Sequence, residues 1–360
     1  MTFSIRIMTR ELVSAISACA QVVDTASKIP ILRTVHMTAA DGRLSIIATN
    51  TTQTVTARAA CSGEGTVCLD MANLDVKVRA LRQGDPVEIV SDGTAFVIVS
   101  QGRTKWKLPA LMAEDFPVKA AEPVKGKAIK VPDGFMAAMR HVSAGVDPNE
   151  PREYLRGVHM ADVLVGTNGH MLALADGGAK FAGITIPASA IKAISAMSGD
   201  VTATASAKAV EFSTEWMTVR TQVLEGSFPD FRRVVPSDLP GCLVVDRQEF
   251  RAAVIRAASI RADGDKAGAY IPVVVKIRDG EIELFASNRE GEEGSDFVAC
   301  DRQSGDDADI RVAGGLLIKA IDSMECETVK VAYRDYMSPV VMSPSVGDRE
   351  DIRIVMPRQK

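Results

Sequence analysis

The sequence contains few of the residues from which metal centres and disulfide frameworks are built. Its 360 residues include four histidines and six cysteines, and no two cysteines form a CxxC pair. Several of the cysteines fall inside apolar runs, where cysteine acts as a small hydrophobic residue. We therefore expect no metal site, no cofactor and reduced thiols.

Long apolar runs and a strong positive charge are also missing. No run reaches the roughly 18 residues that span a bilayer, and no secretion signal is apparent, so we expect a cytoplasmic protein without a membrane partner. A net charge of −4 excludes a chain that is basic throughout. An aromatic content of 5% disfavours a stacking platform for single-stranded nucleic acid.

Motifs of common enzymes are missing as well. No GxGxxG follows a strand, and neither a GxxxxGK[ST] phosphate loop nor a GxSxG elbow occurs. Asn168-Gly169-His170 offers one histidine, which is more typical of a strand edge or a pocket than of catalysis. The acidic stretch 301–309 lacks the spacing of a calcium loop and is interpreted as solvated surface. A hydrolase that uses His170 therefore stays a weak alternative.

One short motif occurs twice. Residues 32–37 read LRTVHM, and residues 155–160 read LRGVHM. A strand followed by an amphipathic helix precedes each copy, at 5–23 and 128–146, and the same plan returns at 242–260. This order of elements predicts an internal repeat rather than a chance match.

The predicted helices have apolar stripes and start signals. Leu12, Ile16, Cys19 and Val23 form the first stripe, and Phe135, Met139 and Val142 form the second. Thr9 can cap the first helix, Pro132 and Asp133 are placed at the start of the second, and Asp246 and Glu249 resemble a capping box for the third. These signals predict where the first helix of each copy begins.

A second strand–helix–strand unit also occurs three times, at 67–81, 184–197 and 310–324. We therefore predict an α+β fold with three tandem copies of one domain, each with two helices packed on antiparallel sheets of about eight strands. Related domains that pack alike form an arc, and two chains placed head to tail would close it. The predicted domains are 1–124, 125–241 and 242–360.

Positive residues lie off the apolar stripes of several helices, among them Arg79, Arg140 and Arg256. Helices that share one concave surface would turn these side chains into a thin basic layer, which contacts phosphates without reading bases. Acids on the same helices, such as Asp75 and Asp322, weaken this signal.

Several longer stretches carry a resemblance to a known family. They are LMAEDFP at 111–117, REYLRGVHM with VGTNGHMLALAD inside 152–176, LEGSFPDFRRVVP at 224–236 and IRIVMP at 352–357, with KIPILRTVHM and DGRLSIIATN inside 28–50. In this order they closely resemble the bacterial DNA polymerase III beta sliding clamps, over the whole chain.

The resemblance implies three clamp domains per chain and a head-to-tail homodimeric ring around double-stranded DNA, which is bound without sequence preference. It implies a processivity factor that tethers the replicative polymerase and is not an enzyme. Its partners would be the polymerase III alpha subunit, the clamp loader and other proteins with a clamp-binding motif. The alternative is a scaffold of the same fold that binds replication or repair proteins without encircling DNA.

The resemblance also implies three sets of site residues. The partner-peptide pocket would comprise Leu155, Thr167, Gly169, His170, Leu172, Pro229, Arg233, Val234, Met337, Pro339, Ile354, Met356 and Pro357. DNA would contact Lys28, Arg79, Arg140, Arg152, Tyr154, Lys192 and Arg256. The dimer interface would comprise Arg103, Lys105, Trp106, Ile260, Glu290, Glu292 and Glu293, with basic and aromatic residues on one edge against acidic residues on the other.

The sequence departs from the family pattern beside the pocket. Asn168 and Met171 stand where the family has Asp and Arg, and the chain ends on Arg358-Gln359-Lys360 instead of an apolar tail. These changes predict altered partner affinity and selectivity, and they are consistent with a divergent or second-copy member.

Overall fold

The computed structural model describes residues 3–91, 95–118, 122–260, 271–288, 290–347 and 350–358. Within these ranges the chain forms six α-helices and 24 β-strands. The helices are α1 (Thr9–Cys19), α2 (Met71–Arg79), α3 (Phe135–Ser143), α4 (Ala188–Ser195), α5 (Arg247–Ala257) and α6 (Gly314–Asp322).

One order of elements occurs three times along the described chain: strand, helix, four strands, helix, three strands. The first copy has β1 (Phe3–Met8), β2 (Thr34–Ala40), β3 (Arg43–Thr49), β4 (Gln53–Ala60), β5 (Ser62–Asp70), β6 (Pro86–Ser91), β7 (Phe96–Gln101) and β8 (Thr104–Leu111). The second has β9 (Ala128–Lys130), β10 (Gly157–Met160), β11 (Leu164–Thr167), β12 (Met171–Ala175), β13 (Ile184–Pro187), β14 (Thr202–Ala205), β15 (Ala209–Ser213) and β16 (Met217–Gln222). The third has β17 (Gly241–Asp246), β18 (Pro272–Ile277), β19 (Glu281–Ser287), β20 (Glu293–Ser304), β21 (Ala308–Ala313), β22 (Thr328–Tyr333), β23 (Val340–Pro344) and β24 (Asp351–Val355).

The strands form two 12-stranded sheets whose pairs are all antiparallel. One sheet has the order β1-β6-β7-β8-β5-β2-β3-β4-β16-β15-β14-β9, and the other has β13-β10-β11-β12-β24-β23-β22-β17-β20-β19-β18-β21. Helices pack on one face of these sheets, as α1 does on β3 and β4, and α5 on β19 and β20. The predicted α+β class with helices on antiparallel sheets is confirmed.

The chain divides into two compact units that do not coincide with the three predicted domains. One unit comprises Met1–Pro132 with Ser189–Val223, and the other comprises Asp133–Ala188 with Leu224–Lys360. The middle copy therefore contributes to both units, because β16 joins the sheet of the first copy and β12 joins that of the third. The boundaries near residues 124 and 241 stay predictions.

Of the predicted caps for α1 and α5, the one for α5 is confirmed and the one for α1 is wrong. Asp246 caps α5, since its carboxylate accepts hydrogen bonds from the amides of Gln248 and Glu249. Thr9 does not cap α1: it is the first helical residue, and its buried hydroxyl donates to the carbonyl of Asp85 at 2.8 Å. This hydrogen bond therefore joins the start of α1 to the residue that precedes β6.

The third predicted start was wrong by two residues. Helix α3 begins at Phe135, after Gly134 in a left-handed conformation with φ of 88°. Glycine adopts this conformation without the steric cost that other residues meet. Pro132 and Asp133 consequently lie in the turn before the helix.

The apolar stripes are buried where the helices extend far enough. Leu12, Ile16 and Cys19 are fully buried, and burial raises the pKa of the Cys19 thiol to about 12. Helix α1 ends at Cys19, so the helical spacing no longer applies beyond it, and Val22 rather than Val23 enters the core. All six cysteines are free.

Neither a membrane-crossing helix nor a metal cluster is found in the described ranges. None of their helices is long and apolar enough to cross a membrane, and no group of three or more His, Cys, Asp or Glu side chains there could hold a metal ion. The acidic stretch at 301–309 has arginine partners instead, with Arg302 bonded to Asp307 and Arg278 to Asp309.

Candidate functional site

A set of apolar side chains from three segments forms the floor of the candidate pocket. Val163, Val165, Leu172, Leu174 and Ile354 are buried against one another. Leu172 on β12 lies directly opposite Ile354 on β24, and Ile354 lies opposite Val341 on β23. The floor thus joins the second and third copies inside one compact unit.

A short 3₁₀ helix at Phe231–Val234 forms a wall beside this floor. Phe228 and Phe231 pack against the floor, and the ring of Phe228 stacks on His159 with centroids 4.4 Å apart. Burial lowers the pKa of His159, which keeps the stacked ring neutral at neutral pH. Val234, in the same 3₁₀ helix, remains half exposed, at 50%.

The turn between β11 and β12 supplies one end of the pocket. The Asn168 side-chain oxygen accepts hydrogen bonds from the amides of His170 and Met171, and the Thr167 hydroxyl accepts one from Gly169. The His170 carbonyl then accepts a hydrogen bond of 2.9 Å from the amide of Met356. The turn therefore fixes the chain segment that follows β24.

Gly169 suits this turn because its φ of 82° lies in the left-handed region. A Cβ atom there would stand 2.9 Å from the Arg152 guanidinium, which is the far end of a flexible side chain and can move aside. The backbone conformation therefore favours glycine at position 169 more strongly than this contact does.

A cavity of about 330 Å³ opens beside the turn. Its lining includes His170, the exposed Met356 and two acids, Asp147 and Glu150. The Arg152 guanidinium donates to Glu150 at 2.6 Å and lowers the pKa of that carboxyl. Glu150 is therefore paired with an arginine, and Arg358 also lines the cavity, so acidic and basic groups both occur at its rim.

The remaining predicted pocket residues lie in several environments. Leu155 is buried at the end of a 3₁₀ helix before β10, and Pro339 directly precedes β23. Met337 is 61% exposed, while Pro229 and Arg233 lie on the exposed side of the wall. Pro357 forms an isolated bridge with Val312. The exposed members are the ones available to a partner.

β8 and β20 each keep an unpaired edge over most of their length in the described structure, as do the end strands β9, β13 and β21 of the two sheets. β8 pairs with β7 over residues 104–109 but reaches β5 only through Ala110 and Leu111. β20 pairs with β19 over residues 293–299 and with β17 only beyond them. β8 in one unit and β20 in the other can therefore each accept a further strand.

The predicted interface residues lie on these two edges. Lys105 is exposed and Trp106 half buried on β8, with Arg103 in the turn before it. Glu290, Glu292 and Glu293 are exposed at the start of β20. The Ile260 side chain lies against Gly294, where a Cβ atom would stand 2.7 Å from it. Arg289, which belongs to the same acidic segment, lies outside the described residues.

Arg79, Arg152 and Arg256, which were predicted to contact DNA, are paired with carboxylates. Arg79 bonds Asp75 at 2.7 Å, Arg152 bonds Glu150 and Arg256 bonds Asp296. Each of these guanidinium groups keeps about half of its surface exposed. The basic layer predicted from the sequence is therefore partly neutralised.

The other predicted DNA contacts differ in exposure. Lys28, Arg140 and Lys192 are exposed, whereas Tyr154 is half buried against Gly226. They fall in both compact units, as the paired arginines do.

Comparisons with known proteins match two parts of the chain to one family. Residues 1–120 match the DNA polymerase III beta subunit N-terminal domain, and residues 232–358 match its C-terminal domain. A beta sliding clamp of Caulobacter vibrioides strain NA1000 is 26% identical over 311 residues, which cover 81% of this chain and 82% of that protein.

Solved structures show the same fold. A sliding clamp from Bartonella birtlesii, crystallised with griselimycin, superposes with a TM-score of 0.88 at 22% identity, over all of both chains. The clamp from Bacillus subtilis gives a TM-score of 0.87 at 18% identity, also over all of both chains. The chain therefore belongs to the DNA polymerase III beta subunit family, as a divergent DNA sliding clamp that tethers a polymerase and is not an enzyme.

Proposed function

We propose that two copies of this chain close head to tail into a ring around duplex DNA, through β8 of one copy and β20 of the other. The observation that carries this proposal is a junction that occurs twice inside the chain. β4 pairs with β16, and β12 pairs with β24, so the third strand after the first helix of one copy meets the last strand of the next. β20 and β8 are the corresponding strands of the third and first copies, and each has an open edge at the equivalent position.

The internal junctions also support a register for the proposed pairing. Equivalent asparagines open the turns before β4, β12 and β20, namely Asn50, Asn168 and Asn288, and each accepts backbone hydrogen bonds within its turn. Matching two-residue turns precede β8 and β16. β4 and β16 pair with Val55 opposite Val219. The same register applied to β20 and β8 places Trp106 opposite Gly294.

This register brings complementary side chains together. The bulky Trp106 meets a glycine, beside the exposed part of Ile260, and Lys107 meets Glu293 on the other face of the sheet. The Ile260 side chain occupies the space that a side chain at position 294 would take, so the indole would pack on Ile260. Opposite charges stabilise facing residues on neighbouring strands. A second copy of this chain therefore fits the edge in shape and charge.

Reversing the charges of Lys107 and Glu293 tests the register. We expect Lys107→Glu or Glu293→Lys alone to weaken the dimer roughly tenfold, because like charges then face each other at both interfaces. The double variant should restore dimerisation close to wild type in sedimentation equilibrium. As a matched control, Lys107→Glu combined with Glu290→Lys should give no such restoration, and equal rescue by both combinations would contradict the register.

The paired arginines support a loose grip on DNA. A half-exposed guanidinium that already has a carboxylate partner attracts phosphate less than a free one does. Together with exposed Lys28, Arg140 and Lys192, they would contact the backbone without reading sequence. Such contacts suit a ring that holds DNA by enclosing it rather than by affinity.

We propose that the pocket beside the β11–β12 turn binds short apolar segments of partner proteins. The support is an apolar floor with exposed Val234, Met337 and Met356 around it, which is typical of a peptide-binding cleft. The polymerase III alpha subunit and the clamp loader are the partners proposed for it, in the cytoplasm. Asn168 holds the turn through its side chain and Met171 is buried, so both would act on partner affinity through the shape of the turn.

A further inference from the structure

A cleft outside both proposed protein-binding surfaces combines arginines with an exposed tryptophan. Two cavities, of about 430 and 300 Å³, share Arg58, Ala59, Ala60 and Trp216. The larger continues along α1 past Arg10, and the smaller continues to the β2–β3 turn at Arg43. All of these residues belong to one compact unit.

Trp216 is held at this cleft by the backbone. It lies in the two-residue turn between β15 and β16, and its carbonyl accepts a hydrogen bond of 2.7 Å from the amide of Arg58. The Arg58 guanidinium donates to the Thr218 hydroxyl at 3.0 Å, which directs it along β16. Trp216 stays 37% exposed, so part of the indole remains open to a ligand.

The arginines of the cleft differ from those on the helices. No carboxylate among the described residues lies within ion-pair distance of Arg10, Arg43 or Arg58, whereas Arg79 and Arg256 are paired. Unpaired guanidinium groups keep their charge and their donors for a ligand, and their fork geometry matches phosphate oxygens.

Three carboxylates also line the cleft, namely Glu11, Asp41 and Glu215. They offset the positive charge of the three arginines, and carboxylates accept hydrogen bonds from the exocyclic amines of bases. An unpaired base can stack on the face of an indole. A base inside a duplex cannot do so, because its neighbours in the duplex cover both of its faces. Cavities of this size accommodate a few nucleotides rather than a helix.

We propose that this cleft binds a short stretch of single-stranded DNA, with one base stacked on Trp216 and phosphates on Arg10, Arg43 and Arg58. The proposal does not depend on ring closure, because a linear strand can enter the cleft of a monomer or a dimer. It gives the clamp a contact for unpaired DNA in addition to the enclosed duplex.

Fluorescence anisotropy of a labelled oligodeoxycytidylate of about twelve nucleotides tests the proposal. We expect Trp216→Leu to weaken binding about tenfold through the lost stacking. Replacing Arg10, Arg43 or Arg58 with glutamine should each lower the slope of log affinity against log salt by about 0.7. Tryptophan fluorescence should be quenched by the oligonucleotide in the wild type and not in Trp216→Leu, because the chain has two tryptophans.

Arg334→Gln is the matched control, since it removes the same charge from an arginine that is paired with Asp238 in the other unit. The proposal is overturned if the cleft variants bind the oligonucleotide as Arg334→Gln does, with melting temperatures that show all of them folded. It is equally overturned if an acidic peptide binds at the cleft and the oligonucleotide does not.

Discussion

Trp106→Ala is expected to convert the dimer into monomers at micromolar concentration. In the proposed register the indole packs on Ile260, whose side chain lies over Gly294, and truncation removes this contact. A buried aromatic anchor at an interface contributes about 2 kcal/mol or more. A closed ring contains this contact twice, so the dimer dissociation constant should rise about 10³-fold, as measured by sedimentation equilibrium or mass photometry.

Tyr336→Ala provides a control for aromatic truncation, because Tyr336 is an exposed aromatic residue outside both strand edges. It should leave the dimer unchanged. A Trp106→Ala variant that remains dimeric at nanomolar concentration, with its melting temperature unaltered, would mean that β8 does not form the interface.

Val234→Asp combined with Met337→Asp is expected to abolish partner-peptide binding without unfolding the protein. Both side chains are at least half exposed, so the substitutions cost little in the free protein. In a complex they would remove two apolar contacts and bury two carboxylates, each of which costs a kcal/mol or more. We expect affinity for a peptide with the family's clamp-binding motif to fall at least 100-fold in isothermal titration calorimetry.

Val346→Asp is the matched control, since Val346 is an exposed valine of the same unit in the turn after β23. Peptide affinity should not change in this variant. Should both the double variant and the control bind as the wild type does, the pocket lies elsewhere on the chain.

Local patterns predicted much of the fold correctly. The stripe of Leu12 and Ile16, the cap at Asp246 and the repeated order of elements all depend on residues near each other in sequence. The start of α3 was missed because the left-handed conformation of Gly134 is a property of the folded turn. The division into two units follows from the long-range pairing of β16 with β4, which no local pattern reveals.

The candidate sites were harder to predict. The pocket residues came from resemblance, and Phe228 and Phe231 were passed over although they lie in the quoted stretch 224–236. The Arg256–Asp296 pair spans 40 positions, and Arg58 and Trp216 are farther apart still, so no spacing rule connects them. Charge pairing and clefts of this kind become visible only once the strands are placed.

Retention on circular DNA tests the central claim most directly. The clamp would be loaded onto a nicked circular plasmid with a bacterial clamp loader and ATP, separated from free protein by gel filtration, and followed before and after the plasmid is cut once. The topological ring predicts stable retention on the circle and rapid loss from the linear form, with little dependence on salt while the circle is intact. Equal retention on circular and linear DNA would contradict it.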